Sequence, residues 1–254
     1  AQTNNAGPRG SEPMDNDTEE TAKFKIDSVR FNSALSDYAP SPTVAGLVFT
    51  STRKLEEKEE PFSGLFRYDP ITGKSPKPMK VGKRKRFHES TAIFTRDGKT
   101  VYFTRNDIRK KRGQANGKLK IYKSHKTKKG WSKPKQLPLG HDDWSVAHPA
   151  LSPDGKTLVF TSDMPGGNGQ NDLYAVRLDG DAIGKPVNLG SEINTTGKET
   201  FPFFDHKGML FFSSDGHNGP GGLDIYRAEP DGQGGFTEPI DLGAPINSPY
   251  DDFS

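Results

Sequence analysis

Six histidines, His88, His125, His141, His148, His206 and His217, are the side chains of this 254-residue chain best suited to bind a metal or move a proton near neutral pH, and they are scattered. No His-x-x-x-His pair and no carboxylate at fixed spacing accompanies them, so hydrogen bonding outweighs a metal pair. His88 and His148 do fall at similar places in neighbouring repeats, which predicts both near a common axis. The chain has no Cys, which removes thiolate zinc sites, iron–sulfur clusters, disulfides and cysteine nucleophiles together. A serine hydrolase of the common elbow type needs Gly-x-Ser-x-Gly between a strand and a helix, and that pentapeptide does not occur. Ser152-Pro153-Asp154-Gly155-Lys156-Thr157 approaches a sialidase-type Ser-x-Asp-x-Gly-x-Thr-Trp turn, but its Gly follows Asp directly. It reads, like Asp97-Gly98, as a hairpin turn whose Gly takes φ > 0. The oxygen-rich loop Asp163–Asp172 lacks the Asp-x-Asp-x-Asp-Gly alternation with a closing Glu of a calcium loop. Asp172, and Asp224 one repeat later, are expected to hold such loops by accepting backbone N–H bonds, and Trp131 and Trp144 to pack between units. No catalytic residue, metal or cofactor is assigned, and the chain reads as non-enzymatic.

Charge supplies the remaining functional candidates. The net charge of +3 conceals a division: residues 1–140 carry 30 Lys+Arg against 15 Asp+Glu, and residues 141–254 carry 6 against 18. From Arg105 to Lys135, 13 basic residues face the single acid Asp107. The partner-binding candidates are Lys83, Arg84, Lys85, Arg86, Arg109, Lys110, Lys111 and Arg112, expected in peripheral loops of one unit, where a solvated face is the plainer reading. Aromatic interleaving and a base-reading module are missing, so nucleic acid is not the expected partner. An anionic surface, lipid headgroups or an acidic protein neighbour fit that field.

The elements that would position these side chains follow from self-similarity. Leu47-Val48-Phe49-Thr50, Val101-Tyr102-Phe103-Thr104, Leu158-Val159-Phe160-Thr161 and Leu210-Phe211-Phe212-Ser213 superpose, with the equivalent Phe residues 54, 57 and 52 positions apart. A second set follows each: Gly64-Leu65-Phe66, Lys120-Ile121-Tyr122, Asp172-Leu173-Tyr174 and Asp224-Ile225-Tyr226. A third closes each unit, clearest in Pro186-Val187-Asn188-Leu189-Gly190 and Pro239-Ile240-Asp241-Leu242-Gly243. The runs are short, rich in Val, Ile, Phe and Tyr, and bounded by Asp-Gly, Gly-Gly or Asn-Gly. Four strands per unit of about 50 residues predict an all-β fold, a β-propeller with four-stranded antiparallel blades. Four blades are expected within residues 38–243, as part of a five- or six-bladed ring. Residues 1–22 hold no aromatic or β-branched aliphatic residue and read as a disordered linker or mature N-terminus. Residues 23–254 read as the propeller domain, truncated at its C-terminus. Phe24–Phe31 is predicted to be a lone strand completing a final or incomplete blade, and Ile246–Ser254 to lead into the next one. No run approaches the ~18–20 apolar residues of a membrane helix.

The segments Ser152-Pro153-Asp154-Gly155-Lys156-Thr157-Leu158-Val159-Phe160-Thr161-Ser162 and Phe211-Phe212-Ser213-Ser214-Asp215-Gly216, with Gly221-Gly222-Leu223-Asp224-Ile225-Tyr226, resemble the WD-like repeats of TolB-type propellers. The Gly-Gly-Leu-Asp-Ile-Tyr form, followed by Ile246-Asn247-Ser248 and Asp251-Asp252-Phe253, is similar to the propeller of OmpA-family outer-membrane proteins of the Bacteroidota. The resemblance covers roughly residues 24–254. It implies a periplasmic, outer-membrane-associated scaffold that binds other envelope proteins as part of a cell-envelope or type IX secretion assembly. Peptidoglycan would be reached only through a domain this chain lacks. The second unit departs from the pattern, with the basic insertion Arg109–Arg112 in place of the Gly-rich turn. The competing expectations are a carbohydrate or cell-wall ligand in the channel, and the propeller portion of a peptidase without its catalytic domain.

Overall fold

The computed structural model describes residues 28–53, 63–81, 87–107 and 117–253, and among these there is no helix. The strands form four antiparallel blades in a propeller arrangement, each meandering outward from the axis. Blade 1 contains β1 (Asp37–Thr43), β2 (Gly46–Ser51), β3 (Gly64–Tyr68) and β4 (Lys77–Pro78). Blade 2 contains β5 (Phe87–Phe94), β6 (Thr100–Asp107), β7 (Leu119–Thr127), β8 (Gly130–Trp131) and β9 (Lys135–Gln136). Blade 3 contains β10 (Val146–Leu151), β11 (Thr157–Ser162), β12 (Asp172–Asp179), β13 (Ala182–Ile183) and β14 (Val187–Asn188). Blade 4 contains β15 (Glu199–Phe204), β16 (Leu210–Ser214), β17 (Asp224–Ala228) and β18 (Ile240–Asp241). In blades 2 and 3 the third strand runs on into a small hairpin, so that β7 pairs with both β8 and β9, and β12 with both β13 and β14. Gly98 and Gly155 take φ of 65° and 72° in the turns joining the first two strands of blades 2 and 3, as the Asp-Gly steps predict.

Strand alternation distributes the apolar residues to two faces, and each face packs against a neighbouring blade. Val48 and Leu65 of blade 1 meet Val101 and Phe103 of blade 2. Tyr102 and Ile121, the alternate residues of blade 2, meet Leu158, Phe160 and Tyr174 of blade 3. Val159, Leu173 and the linker residue Ile193 meet Leu210, Phe212 and Tyr226 of blade 4. Phe103, Phe160 and Leu173 are wholly excluded from solvent, and each such side chain contributes about 1.5–3 kcal/mol of transfer free energy. Trp131 packs on Phe94 at 6.0 Å beside the first of these clusters, whereas Trp144 stands against His141 at 5.8 Å in the linker between blades 2 and 3.

Three seams are therefore filled and the fourth differs. An apolar cleft of about 530 Å³ runs from the axis, where Ile93 and Pro149 of blades 2 and 3 line it, into the gap between blade 4 and blade 1, lined by Pro42, Leu47, Phe203, Phe211 and Ile225. Phe211 and Ile225 are half-buried, while their counterparts Val159 and Leu173 in the preceding seam are fully buried.

The expectation for the N-terminal strand needs correction. Residues 24–27 lie outside the described residues, and Ser28–Phe31 is not strand: Asn32 N–H donates to Val29 O at 3.2 Å in a turn. Phe31 is held by its side chain instead, its ring 4.2 Å from Tyr68 and 5.1 Å from Phe49. It precedes an Asn-Ser pair as Ile193 precedes Asn-Thr, and like Ile193 it packs against a blade face. The outermost position in blade 4 is occupied by β18, which pairs with β17.

Candidate functional site

The innermost strands share one distortion. Each carries a bulge, between Tyr38/Ser41, Ser90/Ala92, Ala147/Ala150 and Thr200/Phe203. At the bulge sits a non-glycine residue with positive φ: Ala39 at 53°, Thr91 at 38°, His148 at 52° and Phe201 at 49°. Such a backbone is costly for a bulky residue and persists only where the surroundings hold it. The hold is visible: Thr91 N–H donates to Thr50 Oγ1 of the previous blade at 3.0 Å, and His148 N–H to Thr104 Oγ1 at 2.9 Å. The Thr that ends the Phe-Thr pairs of blades 1 and 2 thus ties the next blade's first strand to the blade before it, whereas Thr161 Oγ1 in blade 3 makes no such bond.

A second set of bonds locks each linker. The side chain of Asn194 accepts from Leu173 N–H at 2.7 Å and donates to Leu173 O at 3.0 Å, so the amide behaves as one extra strand residue. Asn247 repeats this on Ile225 at 2.8 and 2.9 Å. Thr195 gives its N–H and hydroxyl to Glu199 at 3.0 and 2.6 Å, as Ser248 does to Asp252 at 2.6 and 2.9 Å and Ser33 to Asp37 at 2.6 and 2.8 Å. Burial pushes the Glu199 carboxyl above its ordinary range despite these donors. Burial also pushes Asp37 upward, but bonds from Ser51, Ser33 and Arg53 outweigh it and hold that carboxyl low.

Asp172 accepts from Asn168 N–H at 2.6 Å and Gly169 N–H at 2.9 Å, and Asp224 from Gly221 N–H at 3.0 Å, so both hold their glycine-rich loops as predicted. Gly167 and Gly219 cover those carboxylates so closely that a Cβ there would press on the Asp and on Tyr174 Oη (2.9 Å) or Tyr226 Oη (2.7 Å). Tyr226 is pushed up to about 12 by burial and by Asp224 and Asp241. In blade 2 the same position is Lys120, whose Nζ donates to His141 O at 2.7 Å and Trp144 O at 2.6 Å. Within blade 2 lies a buried ion pair between the cross-strand partners Arg105 and Glu89, in which Arg105 also donates to Val81 O at 2.8 Å and lies over Phe87 at 4.5 Å.

Of the histidines, His88 and His148 do face one axial cavity, though not from equivalent positions: His88 precedes the lead-in carboxylate Glu89, and His148 sits at a bulge. His88 Nδ1 accepts from Ser63 N–H at 3.3 Å, and His148 Nδ1 lies 2.6 Å from Thr200 Oγ1. Burial lowers both, His148 to about 4. No cluster of three or more metal-ligating side chains occurs among the described residues.

The basic candidates Lys83, Arg84, Lys85, Arg86, Arg109, Lys110, Lys111 and Arg112 all lie outside the described residues. A further basic set on the same blade is described. Lys126, Lys128, Lys129, Lys133 and Lys135 stand exposed along β7, β8, β9 and their turns, at the outer edge of blade 2. Lys123 and Lys135 are direct cross-strand partners, and Lys123 is paired with Asp181 of blade 3 at 2.9 Å. Their density is plain in the sequence; their gathering on one edge depends on the small hairpin that short repeat matching does not show.

No family model matches the chain, and no curated protein matches it. Among solved structures it is similar to a protein assigned as TolB from Agrobacterium tumefaciens, at 21% identity and a TM-score of 0.47, over 77% of this chain and 60% of that one. It is similar to a puromycin-hydrolyzing peptidase from Mycobacterium tuberculosis at 14% identity and a TM-score of 0.48, over 84% of this chain and 30% of that one. It is also similar to a gluconolactonase from Xanthomonas campestris at 18% identity and a TM-score of 0.47, over 80% and 60%. The chain thus spans less than two thirds of each of these proteins, and its propeller assignment rests on its own blade topology.

Proposed function

We propose that this chain is a non-enzymatic interaction scaffold of the periplasm, associated with the outer membrane within a larger cell-envelope assembly. The resemblance of its repeats to TolB-type and OmpA-family propellers supports the compartment. The open seam between blades 4 and 1 supports a ring with further blades. The observation that carries the interaction reading is the lysine edge of blade 2.

Like charges opposed across a strand pair are unfavourable, and Lys123 faces Lys135. One of the two is neutralised by Asp181, and the remaining cations project into solvent along the outer edge. Lysines on a sheet edge deter edge-to-edge aggregation. A row of five also builds a directional positive field, within reach of an acidic partner at Debye lengths of ~8–10 Å. We assign the edge to docking of an acidic envelope protein.

The test replaces Lys126, Lys128, Lys129, Lys133 and Lys135 by Glu. Wild type immobilised with envelope extract should retain an acidic protein that is released as salt rises, and the fivefold variant should not, with thermal stability little changed. Capture that is equal for both proteins would leave the lysines as edge protection only. Binding of the wild type to phosphatidylglycerol vesicles, with no protein retained, would move the role to a lipid surface and refute the reading.

A further inference from the structure

A second, independent site lies on the propeller axis. The bulge residues that point toward the axis differ in size: His148 and Phe201 in blades 3 and 4, Ala39 and Thr91 in blades 1 and 2. The two rings stack, with centroids 4.0 Å apart and planes within 14°, and Phe253 continues the stack at 5.1 Å and 26°. Tyr38 meets Phe201 edge-on at 6.5 Å and 89°. Ala39 and Thr91 line the apolar cleft instead, and a cavity of about 640 Å³ remains at the mouth where His148, Phe201 and Phe253 stack. That volume lies within the ~300–1,000 Å³ of small-molecule sites.

The other wall is polar. Ser63, His88, Ser90 and Asn106 line it; Ser63 and His88 Nδ1 are bonded to each other, and Asn106 Oδ1 is a buried atom without a hydrogen-bond partner. Among the described residues that line it, the cavity is also without free charge. Burial disfavours the charged form of both imidazoles, and Asp37 at the rim is taken by Ser33 and by Arg53 at 2.9 Å. An anionic ligand would find no unpaired cation among these described residues, and a purely apolar one would strip water from the hydroxyl wall without replacing its bonds. A flat apolar platform facing a row of neutral donors and acceptors matches a pyranose, which presents C–H bonds on its faces and hydroxyls around its edge.

We propose that the axial cavity binds a neutral saccharide, one sugar ring lying on the Phe201–Phe253 wall with its hydroxyls toward Ser90, His88 and Asn106. This goes beyond the scaffold reading and does not depend on the lysine edge.

The experiment titrates the whole chain with maltose, cellobiose and N,N′-diacetylchitobiose, following the imidazole C–H resonances of His88 and His148 by NMR and the heat by calorimetry. At least one sugar should shift both histidines saturably. Phe253→Ala, which removes an exposed end of the stack, should weaken binding about tenfold, a change of ~1.4 kcal/mol. Ser90→Ala should weaken it severalfold while leaving unfolding unchanged, and the lysine-edge variant should bind as wild type. If none of the sugars moves either histidine, or if Phe253→Ala and Ser90→Ala both bind unchanged, the proposal fails. Saturable binding of inorganic phosphate at the same resonances would also overturn it.

Discussion

Replacing Asn194 by Ala should be among the most damaging single changes in the chain, although it removes only a carboxamide. Asn194 is 1% exposed, and its side chain satisfies both the N–H and the C=O of Leu173, itself wholly buried. Truncation leaves two backbone groups without partners where water does not reach, at roughly 1–3 kcal/mol each. Asn188 Oδ1 loses a third bond, of 2.9 Å, but can turn to solvent. The sum is about 2–6 kcal/mol, which for a chain of this size lowers the melting temperature by roughly 10 °C. Urea unfolding should show the midpoint falling with the slope unchanged, as expected of a change in the folded state alone. A loss below about 1 kcal/mol for Asn194→Ala would show that the linker amide is not holding the blade 3–blade 4 seam.

Three further outcomes follow from the same geometry. Because burial raises the Glu199 carboxyl above its ordinary 4.5, the folded state keeps a proton the unfolded chain has lost. Its contribution to stability is therefore fully present below about 4.5 and declines as pH rises through the raised value, a decline Glu199→Gln should remove; equal pH slopes in both proteins would refute this. His148, lowered from 6.5 to about 4, has the opposite sign: its contribution is full above 6.5 and is lost as pH falls toward 4. Its NMR titration should show a midpoint near 4, and a midpoint near 6.5 would mean that the imidazole itself is not buried. Gly219→Ala and Gly167→Ala should each destabilise by ~1–3 kcal/mol, since the added methyl presses on a carboxylate already held by loop N–H groups. Wild-type melting of either variant would show that those loops yield freely.

The blades were legible because their signal is repeated. Phe49, Phe103, Phe160 and Phe212 mark the same strand position, and Pro-Asp-Gly and Asp-Gly turns punctuate the strands between them. The anchoring roles of Asp172 and Asp224 were legible for the same reason, as short polar side chains next to glycine-rich loops. The Phe24–Phe31 strand was not, because an apolar residue before Asn-Ser is equally able to plug a seam, and at Phe31 side-chain packing on Phe49 and Tyr68 prevails over strand pairing. The axial cavity was hidden by chain separation. Tyr38, His88, His148, Phe201 and Phe253 are far apart in sequence and become neighbours only when four bulges turn inward. Aligning the repeats two positions past the lead-in acids Asp37, Glu89 and Glu199 gives Ala39, Thr91 and Phe201, a small–small–large series that was the available clue. The lysine edge was visible as composition, but its arrangement depends on β8, a two-residue strand without a propensity signal of its own.

Site-specific photocrosslinking in the intact envelope tests the docking role of blade 2 most directly. A crosslinker replacing Lys128 or Lys133, on the exposed edge, should join the chain to an acidic envelope protein in a salt-sensitive manner, while one replacing Lys207 of blade 4 should not. Adducts of equal yield from Lys128, Lys133 and Lys207, or adducts from Lys207 alone, would contradict the assignment of this edge as the docking surface.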